Sequence, residues 1–106
     1  MTYGLKEDTI ASINEVFQRF PDVEQAILYG SRAMDRQRYN SDIDMTLIGP
    51  NLNMSILLQI ETALDDLLLP YKIDLSIFHN IDNAGLMDHI KRVGKVFFER
   101  EKAAIY

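Results

Sequence analysis

The stretch that decides the fold is residues 27–48, which read ILYGSRAMDRQRYNSDIDMTLI. Its first apolar run ends on Gly30 and Ser31, and after ten further residues Asp42 and Asp44 open a second apolar run. Short apolar runs beside turn residues predict two β-strands joined by a polar connection. Because side chains alternate along a strand, carboxylates spaced i, i+2 point to the same face. The stretch therefore brings a turn close to a pair of carboxylates.

The residue types at this junction suit a nucleotide triphosphate with its metal. Gly30 has no side chain, so a phosphate can approach the backbone closely there. Ser31 adds a hydroxyl and, as the predicted N-cap of a short helical turn over Arg32–Arg36, lies beside N–H groups that attract an anion. Asp42 and Asp44 offer the hard oxygen ligands that Mg²⁺ prefers. We therefore expect a nucleotidyl-transfer site.

A third carboxylate comes from Asp74, in the clearest alternating pattern of the chain. Apolar and polar residues alternate there, so Asp74 lies on the face opposite Ile73 and Leu75. If this strand pairs with the one that begins at Asp42, the three carboxylates form one cluster. Their mutual repulsion raises their pKa values unless a cation intervenes. Two metal ions about 4 Å apart would serve an in-line displacement at phosphorus.

Length and composition are those of a single globular domain, residues 1–106, with 47% hydrophobic and 25% charged residues. The chain has no cysteine, which excludes disulfides and thiolate metal sites. The net charge of −5 argues against nucleic acid as a direct partner, although a bound divalent cation would permit a nucleotide substrate. The sequence shows neither a secretory leader nor the roughly 20 apolar residues of a membrane span. We expect a cytoplasmic protein with no membrane partner.

The hydrophobic pattern predicts an α/β fold, a small mixed β-sheet flanked by helices. Asn53 is the expected N-cap of the third helical segment. Gly94 is expected to end the last helix in the left-handed conformation. In chain order the predicted elements are helix Leu5–Phe20, strand Val23–Tyr29, the short helical turn, strand Asp42–Ile48, helix Asn53–Leu68, strand Lys72–Phe78, helix Asp82–Val93 and a short strand Val96–Glu99.

The joint motif is specific enough to name a family. From average residue usage, Gly-Ser followed ten residues later by Asp-x-Asp arises by chance in about one in a thousand chains of this length. Preceded by Ala26–Tyr29 and followed by an apolar run, it resembles the signature of the DNA polymerase beta-like nucleotidyltransferase superfamily. The small size resembles the minimal nucleotidyltransferase (MNT) branch, and the resemblance extends from the helix before Pro21 to Gly94–Phe98.

The resemblance implies a role for each motif residue. Gly30 and Ser31 would hold the triphosphate of ATP or another NTP. Two Mg²⁺ ions would be the cofactor, and their ligands, which are also the catalytic residues, would be Asp42, Asp44 and Asp74. In that superfamily the third carboxylate helps to bind the metal that activates the acceptor hydroxyl.

The resemblance also implies a partner. Minimal nucleotidyltransferases are commonly paired with a small helical HEPN protein, as antitoxin to an RNase toxin, and members of this branch transfer AMP to a tyrosine of that partner. Relatives that modify antibiotics or tRNA ends carry extra helical domains, which this chain lacks, so the acceptor is expected from another chain. The expected function is a protein adenylyltransferase that acts as an antitoxin in a homo- or hetero-oligomer.

Several residues keep two interpretations. Arg32, Arg36 and Arg38 lie between the turn and the carboxylates, where they would neutralise the triphosphate or a partner. Arg32, next to Ser31, is the predicted nucleotide-binding residue, whereas a solvated loop explains the other two equally well. His79 and His89 are interpreted as surface or capping residues. The apolar runs at residues 67–69 and 103–106 are either partner contacts or ordinary packing.

Two other functions remain open. One is a non-catalytic nucleotide-binding subunit that neutralises or scaffolds a partner; substitution of Asp42 or Asp44 would leave its neutralising effect unchanged. The other is a small-molecule nucleotidyltransferase, which needs an acceptor-binding domain or a dimer to supply one. We rank it last.

Overall fold

The computed structural model describes residues 1–101, so the apolar run at 103–106 lies outside the described residues. No helix in the described part of the chain is long and apolar enough to cross a membrane. The elements, in order, are α1 (Glu7–Gln18), β1 (Gln25–Tyr29), β2 (Ile43–Ile48), α2 (Met54–Asp65), β3 (Ile73–Ile77), a single 3₁₀ turn (Phe78–Asn80), α3 (Ala84–Val93) and β4 (Lys95–Glu99).

The four strands form one mixed sheet in the order β3-β2-β1-β4. β1 pairs antiparallel with both β2 and β4, and β2 pairs parallel with β3. The parallel pair needs a crossover connection, which α2 provides. With these directions, the C-terminal end of β1 and the N-terminal ends of the other three strands lie at the same end of the sheet. The predicted mixed α/β fold is confirmed.

The hydrophobic core lies on one face of the sheet. Ala26 and Leu28 of β1 are fully buried there, whereas Ile27 and Tyr29 point to the opposite face and are half-buried. The core is completed by residues of α1, α2, β2 and β3, among them Ile13, Phe17, Leu57, Ile60, Leu64, Ile43, Met45, Leu47, Leu75 and Ile77. Each fully buried side chain of this size stabilises the fold by about 1.5–3 kcal/mol. The opposite face of β1 packs against α3.

A β-bulge on β4 lets two neighbouring aromatic side chains enter the same core. Ala26 pairs with Phe98 but Ile27 pairs with Val96, so Phe97 is the extra residue. In a regular strand, Phe97 and Phe98 would point to opposite faces. Here both are buried, with Phe98 5.6 Å from the ring centroid of Phe17 on α1. The strand that the sequence predicted is present, and the bulge is an addition to it.

The predicted left-handed conformation of Gly94 is wrong: its φ is −58°. Glycine is required there for lack of space, because a Cβ atom would lie 2.8 Å from Cγ2 of Ile27 and would overlap the carbonyl oxygen of Ile90. The end of α3 therefore lies directly against β1. The helix begins with Asn83, whose side-chain oxygen accepts a hydrogen bond of 3.0 Å from the N–H of Leu86.

The short helical turn predicted over Arg32–Arg36 is present only in part. The chain forms successive turns there, in which Met34 N–H donates to the Gly30 carbonyl at 3.3 Å and Arg36 N–H donates to the Ser31 carbonyl at 2.8 Å. A bond that spans five residues does not continue a regular helix. Ser31 is therefore not a helix N-cap. The cap predicted for α2 is confirmed, since the Asn53 side chain accepts from Ile56 N–H at 2.9 Å.

Candidate active site

Two of the predicted carboxylates face each other across neighbouring strands. Asp44 of β2 pairs with Asp74 of β3, and on its other side Asp44 pairs with Tyr29 of β1. Register partners on adjacent strands project to the same face of a sheet. Asp42 comes just before β2, and its i, i+2 spacing places it on the Asp44 side. We call Asp42, Asp44 and Asp74 the carboxylate row; the predicted pairing that brings Asp74 beside Asp44 is observed.

The members of the carboxylate row differ in exposure. Asp44 is half-buried, whereas Asp42 and Asp74 are exposed. Burial raises the pKa of the Asp44 carboxyl above its ordinary value, and the negative charges of Asp74 and Asp42 raise that pKa further. The Lys72 ammonium and, when it is protonated, the His89 imidazole oppose the rise. The site thus holds more negative charge than its own cations balance.

The donor set of the carboxylate row has the chemistry of a Mg²⁺ site, since carboxylate oxygens are hard ligands. The excess negative charge at Asp44 is of the kind that a bound cation removes. Within residues 1–101, however, no three side chains of Asp, Glu, His or Cys are drawn together tightly enough to hold a metal ion by themselves. Mg²⁺ usually takes one or two protein carboxylates and fills its other positions with water and substrate phosphates.

The Gly-Ser turn, residues 30–36, touches the carboxylate row. Gly30 has a φ of +75°, which is accessible to glycine and strained for other residues. A Cβ atom on Gly30 would lie 2.6 Å from Oδ2 of Asp44, so backbone and carboxylate are in direct contact. The N–H groups of Ser31, Arg32 and Ala33 find no hydrogen-bond acceptor among the described residues. Consecutive free backbone donors form a concavity suited to an anion.

Arg32 is almost completely buried, at 2% exposure. Its Nε and Nη2 atoms donate to the Ser41 carbonyl at 3.2 and 2.8 Å, and Nη1 donates to the Tyr3 carbonyl at 2.9 Å. The guanidinium also lies 4.9 Å from the ring centroid of Tyr71. These contacts tie the start of the turn to the residue before Asp42. They favour a structural role over the nucleotide contact predicted from the sequence.

His89 of α3, predicted from the sequence to be a surface or capping residue, lies instead at the candidate site. It is half-buried, and its Nε2 accepts a hydrogen bond of 3.1 Å from the N–H of Gly30. Its ring meets the Tyr29 ring edge-on, with centroids 6.2 Å apart. Because Nε2 is the acceptor, the imidazole is neutral and carries its proton on Nδ1. Nothing in the spacing around His89 signals this contact, since it joins residues 59 positions apart. His79, in the 3₁₀ turn, is exposed as expected.

Tyr29 is the second residue that the sequence did not single out. Burial raises the pKa of its phenol above the ordinary value, Asp44 and Asp74 raise that pKa further, and the Ser76 hydroxyl opposes the rise. The Ser76 hydroxyl is buried and lies near Tyr29 without forming a well-aligned hydrogen bond. The phenol therefore stays protonated at neutral pH beside the carboxylate row.

The fold and this arrangement define a class of protein. The family model described as Polymerase beta, Nucleotidyltransferase matches residues 11–103, and the chain belongs to that family. The family predicted from the Gly-Ser and Asp-x-Asp motif is confirmed. A search of the curated proteins finds no match.

Several solved structures with a similar fold are toxin–antitoxin complexes. A chain of a toxin–antitoxin crystal structure with AMP-PNP has a TM-score of 0.68 at 21% identity, over 92% of this chain and 76% of that chain. A chain of the MntA–HepT toxin–antitoxin crystal structure has a TM-score of 0.66 at 18% identity, over 90% of this chain and 74% of that chain. A chain of the structure of a tri-AMPylated Shewanella oneidensis HEPN toxin in complex with MNT antitoxin has a TM-score of 0.66 at 16% identity, over 91% of this chain and 74% of that chain. At such identities the likeness to these neighbours is one of fold.

Proposed function

We propose that this protein is a Mg²⁺-dependent nucleotidyltransferase that transfers AMP from ATP to a hydroxyl group of a partner protein. The observation that carries the proposal is the contact between the two halves of the motif. Gly30 meets the Asp44 carboxylate, Asp44 pairs with Asp74, and the turn after Gly30 presents three backbone donors without an acceptor in the described chain. A polyphosphate that binds a cation needs both halves at once.

Each half has a separate task in the transfer. The turn amides and the Ser31 hydroxyl bind and orient the phosphates. Asp42, Asp44 and Asp74 would hold Mg²⁺, which would offset the charge that develops on the phosphate oxygens; the family resemblance implies two ions. The acceptor oxygen bonds to the α-phosphorus, the bond from that phosphorus to the bridging oxygen breaks, and pyrophosphate leaves while the acceptor proton passes to solvent.

For the partner, we propose a small helical HEPN-type toxin with a tyrosine as acceptor, so that this protein is the antitoxin. Two solved structures of similar fold support the proposal: one is a toxin–antitoxin with AMP-PNP, and the other contains a tri-AMPylated HEPN toxin with its MNT antitoxin. The motif resemblance points to the same pairing. Tyrosine as the acceptor rests on the resemblance alone.

The test is transfer of labelled AMP to the protein encoded next to this one. Purified protein, Mg²⁺ and ATP labelled at the α-phosphate are incubated with that neighbour, and peptide mass spectrometry locates the modified residue. We expect an adenylylated tyrosine, and none when Mg²⁺ is chelated. Transfer in the presence of excess chelator would contradict the metal dependence. An unmodified partner that is nevertheless neutralised would contradict the enzyme assignment.

A non-catalytic nucleotide-binding subunit is the second candidate. One observation favours it: the N–H of Gly30, a residue expected to hold the triphosphate, is already bonded to His89 and is not offered to a phosphate. Growth of cells that express the toxin decides between the two. If Asp42→Asn protein protects them as well as the wild type does, binding alone neutralises the partner.

A further inference from the structure

Gly30 is held from two sides by residues far away in sequence. On one side its Cα faces the Asp44 carboxylate, which leaves no room for a Cβ atom. On the other side its N–H donates to Nε2 of His89 at 3.1 Å. With φ at +75°, the peptide is in a region that has no stabilisation from regular secondary structure. These two contacts therefore orient the Gly30 peptide, at the start of the Gly-Ser turn.

His89 is itself well fixed. Its ring packs edge-on against Tyr29, and the following residue, Ile90, is buried between α3 and the sheet. Gly94 lets the end of the same helix approach β1 closely. Asp88, the preceding residue, points outward and pairs with Arg92 at 2.8 Å, with both side chains more than 60% exposed. Asp88 thus forms an ion pair with Arg92, and the His89 imidazole accepts the hydrogen bond from Gly30.

The hydrogen bond divides the donors of the turn into two sets. The Gly30 N–H is satisfied inside the protein, whereas the next three N–H groups, of Ser31, Arg32 and Ala33, have no acceptor among the described residues. Rotation of the Gly30 peptide would turn this N–H away from His89 and shift the donors that follow. An acceptor fixed on a helix opposes that rotation, because the half-buried Gly30 N–H would lose this hydrogen bond.

We infer that His89 is a positioning residue: through its Nε2 acceptor it fixes the Gly30 peptide, so that the following backbone N–H groups face the phosphates of the nucleotide. This inference rests on the proposed function in assigning ATP to the turn. His89 lies outside the Gly-Ser and Asp-x-Asp motif, and it contacts no reacting atom. Its contribution is to ATP affinity more than to the chemical step.

The kinetic test compares two substitutions of the same residue. His89→Phe keeps the ring and the edge contact with Tyr29 but has no acceptor, and His89→Gln offers an amide oxygen that can reach the Gly30 N–H. We expect His89→Phe to raise the KM for ATP about tenfold with kcat changed less than about threefold, and His89→Gln to recover most of the loss. Asp88→Asn, on the outer face of α3, is the matched control and should behave as the wild type.

Two measurements do not depend on catalysis. NMR of ¹⁵N-labelled protein should show a scalar coupling across the hydrogen bond between Gly30 N and His89 Nε2, with slow exchange of the Gly30 amide. Titration calorimetry with Mg²⁺ and ATP should show the same tenfold order of loss for His89→Phe, and its recovery in His89→Gln. Thermal unfolding checks that both variants are folded.

The outcomes separate this inference from the proposed function. If the wild type transfers AMP and His89→Phe binds ATP equally well, the role of His89 is overturned and the function stands. If both substitutions weaken ATP binding equally, with no recovery by glutamine, His89 acts through packing and the inference fails. If the wild type binds Mg²⁺ and ATP but transfers no AMP, the function fails while the binding comparison still decides the role of His89. A wild type that binds no ATP overturns both.

Discussion

The two halves of the candidate site are held in place by different means. The carboxylate row is fixed by strand register, since Asp44 and Asp74 occupy paired positions of a regular sheet. The Gly-Ser turn has no regular structure after Gly30, and side chains from distant parts of the chain fix it. His89 accepts the Gly30 N–H, and Arg32 ties the turn to the Tyr3 and Ser41 carbonyls.

The difference has a consequence for how each half tolerates substitution. A strand position is supported by a whole ladder of backbone hydrogen bonds, so replacing one carboxylate leaves the row in place and removes only its charge. A turn held by a few single contacts loses its geometry when one of them is lost. We therefore expect substitutions in the row to separate activity from stability, and substitutions in the turn to affect both.

The largest effect is expected for Asp44→Asn. Asparagine has nearly the same shape, so the strand pairing persists, but the central charge of the row is lost. AMP transfer to the partner should fall about a thousandfold or more, because metal binding contributes several kcal/mol to the transition state. The rate of labelled AMP transfer measures this loss of activity, and circular dichroism verifies that the variant is folded.

Asp66→Asn is the matched control for that experiment. Asp66 is exposed at the end of α2 and belongs to neither half of the site. The rate of AMP transfer by Asp66→Asn should equal that of the wild type. Equal rates for the two variants would remove the carboxylate row from the mechanism.

Gly30→Ala comes next and tests the contact between the halves. Alanine at φ +75° is strained by about 1–2 kcal/mol, and its Cβ would lie 2.6 Å from Asp44 Oδ2. We expect a lower urea midpoint together with at least a tenfold loss of ATP affinity. Gly85→Ala, near the start of α3, is the control and should change stability by less than about 1 kcal/mol. A Gly30→Ala protein with unaltered ATP affinity would show that the turn does not bind the phosphates.

Arg32→Lys separates the structural role seen in the fold from the nucleotide contact predicted from the sequence. Lysine cannot reproduce three hydrogen bonds in a fixed fork, so we expect a loss of about 2 kcal/mol in the free energy of unfolding. Arg36→Lys, at an exposed position of the same turn, should lower the free energy of unfolding much less. Urea unfolding gives both values. An unchanged stability with a raised KM for ATP would restore the nucleotide contact.

The same contrast explains what the sequence could predict. The strands and the face on which Asp44 and Asp74 lie follow from local alternation, because a period of two fixes which residues share a face. That Asp74 lies beside Asp44 depends on the pairing of their strands, which local alternation does not fix. The contacts of Arg32 and His89 join residues that only the folded chain brings together, so no local pattern shows them. Gly94 illustrates this: a glycine after a helix predicts a left-handed cap, and the close approach of Ile27 gives it another role.

The smallest effect concerns the pH dependence of stability through Asp44. Burial and the neighbouring carboxylates raise the pKa of Asp44 in the folded protein above its unfolded value. The folded state therefore binds this proton more tightly, and the contribution of Asp44 to stability is full below the unfolded pKa and is lost as the pH rises through the folded pKa.

In the absence of Mg²⁺, Asp44→Asn should thus have a slightly higher Tm than the wild type at pH 7, and the difference should disappear near pH 4. Added Mg²⁺ should raise the Tm of the wild type at pH 7 more than that of the variant, because only the wild type regains the balance of charge. A variant less stable than the wild type at pH 7 without metal would show that the ionised carboxylate stabilises the turn beside it, and the two halves would then depend on each other in stability as well as in activity.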